Sequence, residues 1–363
     1  MADQTAIPFL HMRGGTSKGP VFNKKDLPQD QETLGQVLMA AVGSGHQLNI
    51  DGIGAGNSVT TKVPILSKSS DDWADIDYFF VQVQALVKVV DFTTTCGNML
   101  SAVGPAAIEM GLVKAKADET IIKIRAENTG GRFVSKVKTP GGNLVYEGET
   151  SIDGVPGTAA PVKLTFMDIT GSKTGKFLPT GNLKDVIDGI EVTCMDVTMP
   201  VVIGRAADFD ISGYEEREKL DLNKPLFARM ESIRLQAAKL MGLGDVRDSV
   251  APKFALFSSP KQGGSLCVRY FMPWQTHPTL AVTSSQCLAA CALTIGSVAD
   301  GLVDQLNGNS SDVLFEHPLG FMNVRLDYQN NGVHSVVRSA QIVRTARKLS
   351  SGLIYIPSSI WSA

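Results

Sequence analysis

The sequence predicts an α+β protein made of two similar domains, each a succession of strands with few helices. Three observations predict it. The chain of 363 residues is too long for one ordinary core and suits two of comparable size. Short β-branched and aromatic runs separated by glycine turns outnumber helical patterns in both halves. A strand–turn–helix signature also occurs twice, at Val90–Val113 and from Leu280 to Val303. Overlaying Thr94–Ala102 on Val282–Ala290 matches Thr95 with Thr283, Leu100 with Leu288 and Ala102 with Ala290, and both segments run on to Gly-Leu-Val. Duplicated domains would each offer a helix N-terminus to a central cleft, a good setting for a polyanion, with Cys96 facing Ser284.

Ala6 to Met12 forms the first expected strand. It runs into Arg13-Gly14-Gly15-Thr16-Ser17-Lys18-Gly19, where exposed N–H groups and two cations suggest a carboxylate or phosphate cradle. The P-loop spacing is absent, and a plain glycine hairpin is the competing reading. Asp30 caps a helix with Leu34, Val37, Leu38 and Ala41 on its apolar face and Gly43 as its stop. A second glycine loop, Asp51 to Ser58, leads into the β-rich run Val59–Leu66. Lys62 interrupts that run among apolar neighbours. A desolvated lysine can lose its proton near neutral pH, while a lysine facing outward from a half-exposed strand is the alternative. Phe79, Val81 and Val83 then alternate with Phe80, Gln82 and Gln84 as one more strand.

The stretch from Val90 to Val113 is the expected organising element: a strand end, a polar turn, and a helix beginning at Cys96-Gly97-Asn98. Leu100, Val103, Ala107 and Met110 recur at helical spacing, Gly111 supplies the stop, and Thr94 or Thr95 can cap the start. Cys96 would sit where unpaired N–H groups and the positive dipole end converge, a setting that favours a thiolate and acid, base or nucleophilic work. A small buried cysteine is the competing reading. Pro105 removes the bond to Ser101 and should bend the axis.

Strands and turns fill Thr120 to Tyr146, and glycine clusters near 154 and 171 punctuate a loop-rich crossover. The domain change is expected near residue 185, giving domains 1–185 and 186–363, with a terminal segment able to return to the first. The second half opens on a strand pair, Ile190 to Ile203, around Asp196. A helix follows with Leu226, Met230, Ile233, Ala237 and Leu240 on one face and Gly242 as its stop. Phe254–Phe257 and Ser265–Phe271 are expected strands, and His277 precedes a strand, turn and helix start over Leu280–Cys287. Strands at Met322–Tyr328 and Val333–Val343 lead to Arg344-Thr-Ala-Arg-Lys348.

Composition narrows the function. Lys plus Arg number 34 against 36 Asp plus Glu, a net charge of −2, so no basic surplus points to nucleic acid or an anionic membrane. Cysteines at 96, 194, 267, 287 and 291 form no CxxC pair, which suits a reducing cytosol. The N-terminus shows no signal peptide and no stretch long enough to span a bilayer, so a cytoplasmic protein is expected.

Taken together, several motifs resemble the PrpF-type isomerases, which share the diaminopimelate epimerase-like fold. They are Met12–Gly19, Ile50-Asp-Gly-Ile-Gly54, Thr61-Lys62-Val63, Asp75–Phe79 with Gln82-Val83, Cys96-Gly-Asn98, Gly154–Thr158, Thr174-Gly175, Leu178–Gly181 and Arg344–Arg347. The similarity covers nearly the whole chain. It implies two pseudo-symmetric domains, each a curved, mostly antiparallel sheet around a central helix, with the active site in the interdomain cleft. It also implies catalysis by Lys62 and Cys96 with no metal or organic cofactor. In diaminopimelate epimerases two cysteines face each other; the lack of a cysteine at Ser284 speaks against that arrangement. The chain departs from the family in having Thr-Thr-Lys where Thr-Ser-Lys is frequent. It also has Val282-Thr-Ser-Ser285 where a Thr-Gly motif is common.

The resemblance assigns substrate binding to Arg13, Gly15, Thr16, Ser17, Lys18, Asn57, Ser58, Gly97 and Asn98 in the first half. In the second half Arg269 and His277 are expected near the rim as carboxylate binders, with a buried structural histidine as the competing reading, and Ser284 and Ser285 are the other expected contacts. The implied reaction moves a proton between carbons of an unsaturated di- or tricarboxylate. Lys62 takes the proton and Cys96 returns one or steadies the dienolate. A bound polyanion favours the ammonium form of a lysine, a tension that Arg13, Lys18 and helix N–H groups would relieve. The leading expectation is 4-oxalomesaconate tautomerase. The alternatives are 2-methylaconitate cis-trans isomerase and a non-catalytic polycarboxylate-binding protein on the same fold. The expected partner is a small polycarboxylate, and the resemblance leaves room for a homodimer. Arg344 and Arg347 are expected to be structural.

Overall fold

Period-two alternation from Gln4 to Gly14 makes β1, and a tight turn at Gly15 and Thr16 returns the chain antiparallel as β2 (Ser17–Asn23). These and the following elements come from a computed structural model that describes residues 3–303, 309–330 and 335–362. The helix α1 (Gln31–Val42) starts where the Asp30 carboxylate accepts from the Thr33 N–H at 2.8 Å and stops at Gly43, whose φ of 74° is left-handed. Then come β3 (Lys62–Lys68), β4 (Ile76–Val83), the two-residue β5 (Val90–Asp91), α2 (Gly97–Glu109), β6 (Asp118–Ala126), β7 (Arg132–Thr139) and β8 (Pro161–Met167).

The chain divides into two compact units, Met1–Phe166 with Val343–Ala363, and Met167–Ile342. The division comes earlier than the expected residue 185, because Pro161–Met167 is a strand and not part of a loop-rich crossover. The last residues belong to unit 1 for a similar reason. The long strand β17, Ser335–Pro357 in chain order, pairs antiparallel with β1 from Gln4 opposite Pro357 to Gly14 opposite Ala346.

In unit 1, β2 and β3 run parallel, β3 and β4 antiparallel, β4 and β6 parallel, and β6 and β7 antiparallel. The faces of this sheet are settled by alternation. Val63, Ile65, Val81 and Val83 share one core with Leu34, Val37, Leu38 and Ala41 of α1. Lys62, Pro64 and Leu66, with their cross-strand partners Gln82, Phe80 and Tyr78, take the other face. On that face lies α2, apolar nearly all round and buried from Met99 to Ala107, as a central helix must be. Pro105 sits inside it, next to Gly104.

Unit 2 repeats this order. Its elements are β9 (Asp185–Ile187), β10 (Ile190–Val197), β11 (Met199–Arg205), α3 (Arg217–Asp221), α4 (Lys224–Leu240), β12 (Lys253–Ser258), β13 (Leu266–Met272), β14 (Gln275–Thr276), α5 (Val282–Leu293), β15 (Ser310–His317) and β16 (Gly320–Asn330). The pairings β10–β11, β11–β12, β12–β13, β13–β15 and β15–β16 run antiparallel, parallel, antiparallel, parallel and antiparallel. That is the sequence of directions from β1 to β7. On α4 the expected apolar stripe holds at Leu226, Met230, Ile233 and Ala237. Leu240 turns out to be exposed, and the buried last-turn residue is Ala238. Of the strand, turn and helix start expected over Leu280–Cys287, the helix is observed and the strand is not: α5 already begins at Val282 and is buried on most sides.

Candidate functional site

Lys62 is the first residue of β3, and strand register decides where its side chain goes. Met12 stands opposite Gly19 on the β1–β2 hairpin. The β2–β3 register of Phe22 with Ile65, followed back three residues, sets Gly19 beside Lys62, and Lys62 pairs with Gln82 on β4. A Cβ at Gly19 would overlap the Lys62 carbonyl, so only glycine lets the hairpin approach so closely. Along this row the Lys62 amine donates to the Gln82 Oε1 at 2.9 Å and lies 5.5 Å from the centre of the Phe80 ring. The Gln82 amide is held at its other end too, donating from Nε2 to the carbonyls of Ser58 and Val83. Gln82 is neutral, so it can orient ammonium and free amine alike.

Two residues along the same face of β4, the Tyr78 ring packs 6.2 Å from Phe80, and its hydroxyl donates to the Cys96 carbonyl at 3.3 Å. Burial pushes the Tyr78 phenol well above the ordinary tyrosine range, and a charge on Cys96 would push it further, so it remains a donor. Tyr78, Phe80 and Gln82 thus form a continuous floor carrying Cys96 at one end and Lys62 at the other. Sequence reasoning placed Gln82 in the strand but gave none of these three a role. The available signal was a polar residue two positions from an aromatic, in register with a lysine.

Cys96 is itself the N-cap of α2, in extended conformation and without a side-chain capping bond. Neither Thr94 nor Thr95 caps the helix, and Thr95 instead hydrogen-bonds with the Tyr78 hydroxyl. The first-turn N–H groups of Gly97 and Asn98 have no intrahelical partner, which makes them available to an anion. The Asn98 amide donates to Thr16 Oγ1 at 3.0 Å, and a Cβ on Gly14 would come within 2.8 Å of the Asn98 carbonyl. Gly15, at φ 52°, is pressed against the Asn98 side chain. The hairpin turn therefore touches both the Cys96 helix and the Lys62 strand. Ser17, paired with Gly14, shares the Lys62 face, while Asn57 folds onto its own loop by accepting from the Val59 N–H.

Two expected contacts are corrected by register. Arg13 and Lys18 pair with each other, one residue off the Met12–Gly19 row, so they project from the face opposite Lys62. Arg13 donates to the carbonyls of Gly15 and Thr345 and to the Thr345 hydroxyl, each at 3.0 Å, which ties the hairpin to the terminal strand. The competing reading of this segment, a glycine hairpin, is the observed one. Arg344 is buried, and desolvation pushes its guanidinium down to about 10, in keeping with a structural role.

In unit 2, Ser284 is buried and shares a 2.6 Å hydrogen bond with the Tyr270 hydroxyl. Ser285 donates to the Val282 carbonyl. Because α5 has its N-cap at Ala281, the residue matching Cys96 by helix position is Ala281, not Ser284. The expected rim position of Arg269 is also corrected. It is buried, and it donates to the carbonyls of Glu215 and Val268. His277 is half-buried, its Nδ1 accepting from the Thr279 N–H at 3.0 Å, which assigns the proton of the neutral ring to Nε2. Burial, with the charges of Lys253 and Arg217, holds His277 below its usual range against the Thr279 contact.

Four of the five thiols, at Cys194, Cys267, Cys287 and Cys291, are pushed up by burial. Cys96 is the least shielded, at 9% exposure against 2% or less for the others. A surface pocket of about 190 Å³, lined by Leu27, Pro28, Leu34, Ile65 and Phe79, opens on the α1 face of the sheet and is unconnected with this chemistry. Among the described residues no group of three or more His, Cys, Asp or Glu is placed to hold a metal ion, and no helix is long and apolar enough to cross a membrane.

A family model described as PrpF protein matches residues 4–357. YbhH of Escherichia coli strain K12, whose name says isomerase and no substrate, is 47% identical over 97% of this chain and 99% of its own. The 4-oxalomesaconate tautomerase of Pseudomonas putida is 43% identical over 99% of this chain and 98% of its own. Among solved structures, methylitaconate-delta-isomerase superposes with a TM-score of 0.88 at 31% identity, covering 100% of this chain and 98% of that one. A hydroxyproline epimerase from Agrobacterium vitis, at 12% identity and a TM-score of 0.53 over 99% and 97% of the two chains, shares the fold alone.

Proposed function

The chain belongs to the PrpF protein family, and on that footing we propose that it is a cofactor-independent isomerase shifting a proton within an unsaturated polycarboxylate of the 4-oxalomesaconate class. The observation that carries the proposal is the shared floor of Tyr78, Phe80 and Gln82, which has the Lys62 amine at one end and the Cys96 carbonyl at the other on one face of one sheet. The substrate class is supported by the 43% identity to a tautomerase of that name over nearly the full length of both chains.

A C–H bond flanked by a carboxylate and a conjugated acid is weak enough for a side-chain base when the resulting dienolate is stabilised. Lys62 as free amine takes that proton. The electron pair moves through the C=C–C=O system, and the far carbon takes a proton from the Cys96 thiol. The double bond has then changed place, and the ammonium and thiolate left behind re-equilibrate through solvent. The N–H groups of Gly97 and Asn98, with the hydroxyls of Thr16 and Ser17, receive the carboxylate and dienolate oxygens. Gln82 keeps the amine aimed throughout the cycle. Five thiols with no disulfide among them suit a cytoplasmic enzyme.

The test is proton NMR of 4-oxalomesaconate with the pure protein in D₂O. Deuterium should enter at the far carbon, which takes its proton from the solvent-exchangeable Cys96 thiol. Lys62→Met and Cys96→Ala should each slow that exchange by about 10²–10⁴-fold. Exchange at the wild-type rate in both variants removes the assignment.

A further inference from the structure

Lys62 has a counterpart. In unit 2, Met195 stands opposite Val201, and Val201 opposite Lys253, the first residue of β12. This row of methionine, second hairpin strand and leading lysine reproduces Met12, Gly19 and Lys62 strand for strand. The two rows part at the next strand. Unit 1 supplies the Gln82 amide as acceptor. In unit 2 the Phe254–Phe271 register, continued by one residue, sets Met272 beside Lys253.

The charged surroundings of Lys253 are also one-sided. Its neighbours are Arg234 on α4 and Lys173 in the 171–175 loop, and it acts in turn on His277 beyond β14, which also feels Arg217 on α3. The acids of the region are engaged elsewhere. Glu231 pairs with Arg234 at 2.7 Å, and Asp221 pairs with Arg217 while accepting from the Thr276 N–H. Asp196 accepts from the Ser172 and Thr174 hydroxyls and from the N–H groups of Lys173 and Thr174. Among the described residues the Lys253 amine has no hydrogen-bond or ion-pair partner. A largely desolvated amine held among cations, beside an apolar strand neighbour, lacks an anion.

We propose that Lys253 is a carboxylate-binding residue of unit 2, which receives one carboxylate of a polycarboxylate ligand. The choice of a carboxylate rests on the proposed function. Burial, then the charges of Arg234 and Lys173, push the amine down to about 8, so its charge, and with it the grip on a carboxylate, is lost as the pH rises through that value. His277, held low by burial, stays neutral over the same range.

The test is calorimetric titration of the full chain with propane-1,2,3-tricarboxylate, a saturated tricarboxylate that cannot react. It is done in a Lys62→Met background, so that the other leading lysine contributes nothing to the binding measured. With Lys253 present, affinity falls between about pH 7 and about pH 9.5. Lys253→Met weakens binding by about tenfold or more at about pH 7. Lys253→Arg stays within about threefold and loses less affinity at the higher pH, because guanidinium keeps its charge. Unchanged binding in Lys253→Met overturns the proposal, as does a Lys253→Arg protein whose affinity falls with pH as steeply as the parent's. If Lys253→Met fails to fold, the pH response of Lys253→Arg alone decides. The functional reading is decided separately, by D₂O exchange in Lys62→Met with Lys253 intact, so either can fail without the other.

Discussion

The neutrality of Gln82 is the feature most open to direct perturbation. Gln82→Glu keeps the size and reach of the side chain but places a carboxylate where an amide oxygen now lies 2.9 Å from the Lys62 amine. Coulomb's law at that separation gives about 1.4 kcal/mol in water and about 6 kcal/mol at an effective dielectric of 20. Both residues are half-buried, so the lower figure is the safer guide. One pH unit corresponds to about 1.4 kcal/mol. If Lys62 must be free amine to take a proton, the rising limb of the pH–rate profile moves upward by at least about one unit. kcat/KM near neutral pH then falls about tenfold and recovers in alkali. Gln82→Leu, which removes the acceptor without adding charge, should lower kcat and leave the limb in place. The assay is initial-rate absorbance over a pH series for all three proteins. A Gln82→Glu profile that superimposes on the wild type, or that drops by one factor at every pH, would show that Lys62 is not the base and acts only as a fixed cation.

Two further outcomes follow from the same geometry. Gly19→Ala drives a Cβ into the Lys62 carbonyl, so it should cost about 1–3 kcal/mol in denaturant unfolding and lower kcat as Lys62 shifts; wild-type stability and turnover together would mean the hairpin does not confine that residue. Native alkylation with iodoacetamide should label Cys96 first, with activity lost in step, since burial both shields and pushes up the other four thiols; rapid labelling of any of those four while Cys96 stays free contradicts the burial pattern.

Much of the local structure was legible in the residues alone. Asp30 and Gly43 bracket α1 as expected, and alternation from Phe79 to Val83 locates β4, because caps and period-two patterns are short-range properties. The motifs around Lys62 and Cys96 likewise marked the elements on which the chemistry is proposed. What the residues could not convey was register. Arg13 and Lys18 look like the cations of an anion cradle, yet a pairing offset of one residue from Met12 and Gly19 sends them to the other face. The β-branched pair Val282-Thr283 favours a strand by local preference, and burial of the segment as a central helix overrides it, which displaces Ser284 from the position matching Cys96.

By itself, then, the sequence determined many of the strands and helices, the caps of α1, and the family to which they belong. Tertiary structure alone decided which side chains share a face, because that depends on pairing between strands far apart in the chain, as in Phe22 with Ile65 and Val201 with Lys253. It brought Tyr78, Phe80 and Gln82 under Lys62 and Cys96, returned the terminal strand to β1, and set Lys253 in the second row. No local signal encodes such pairings, since they are selected by burying one face of each strand against a core assembled from distant parts of the chain.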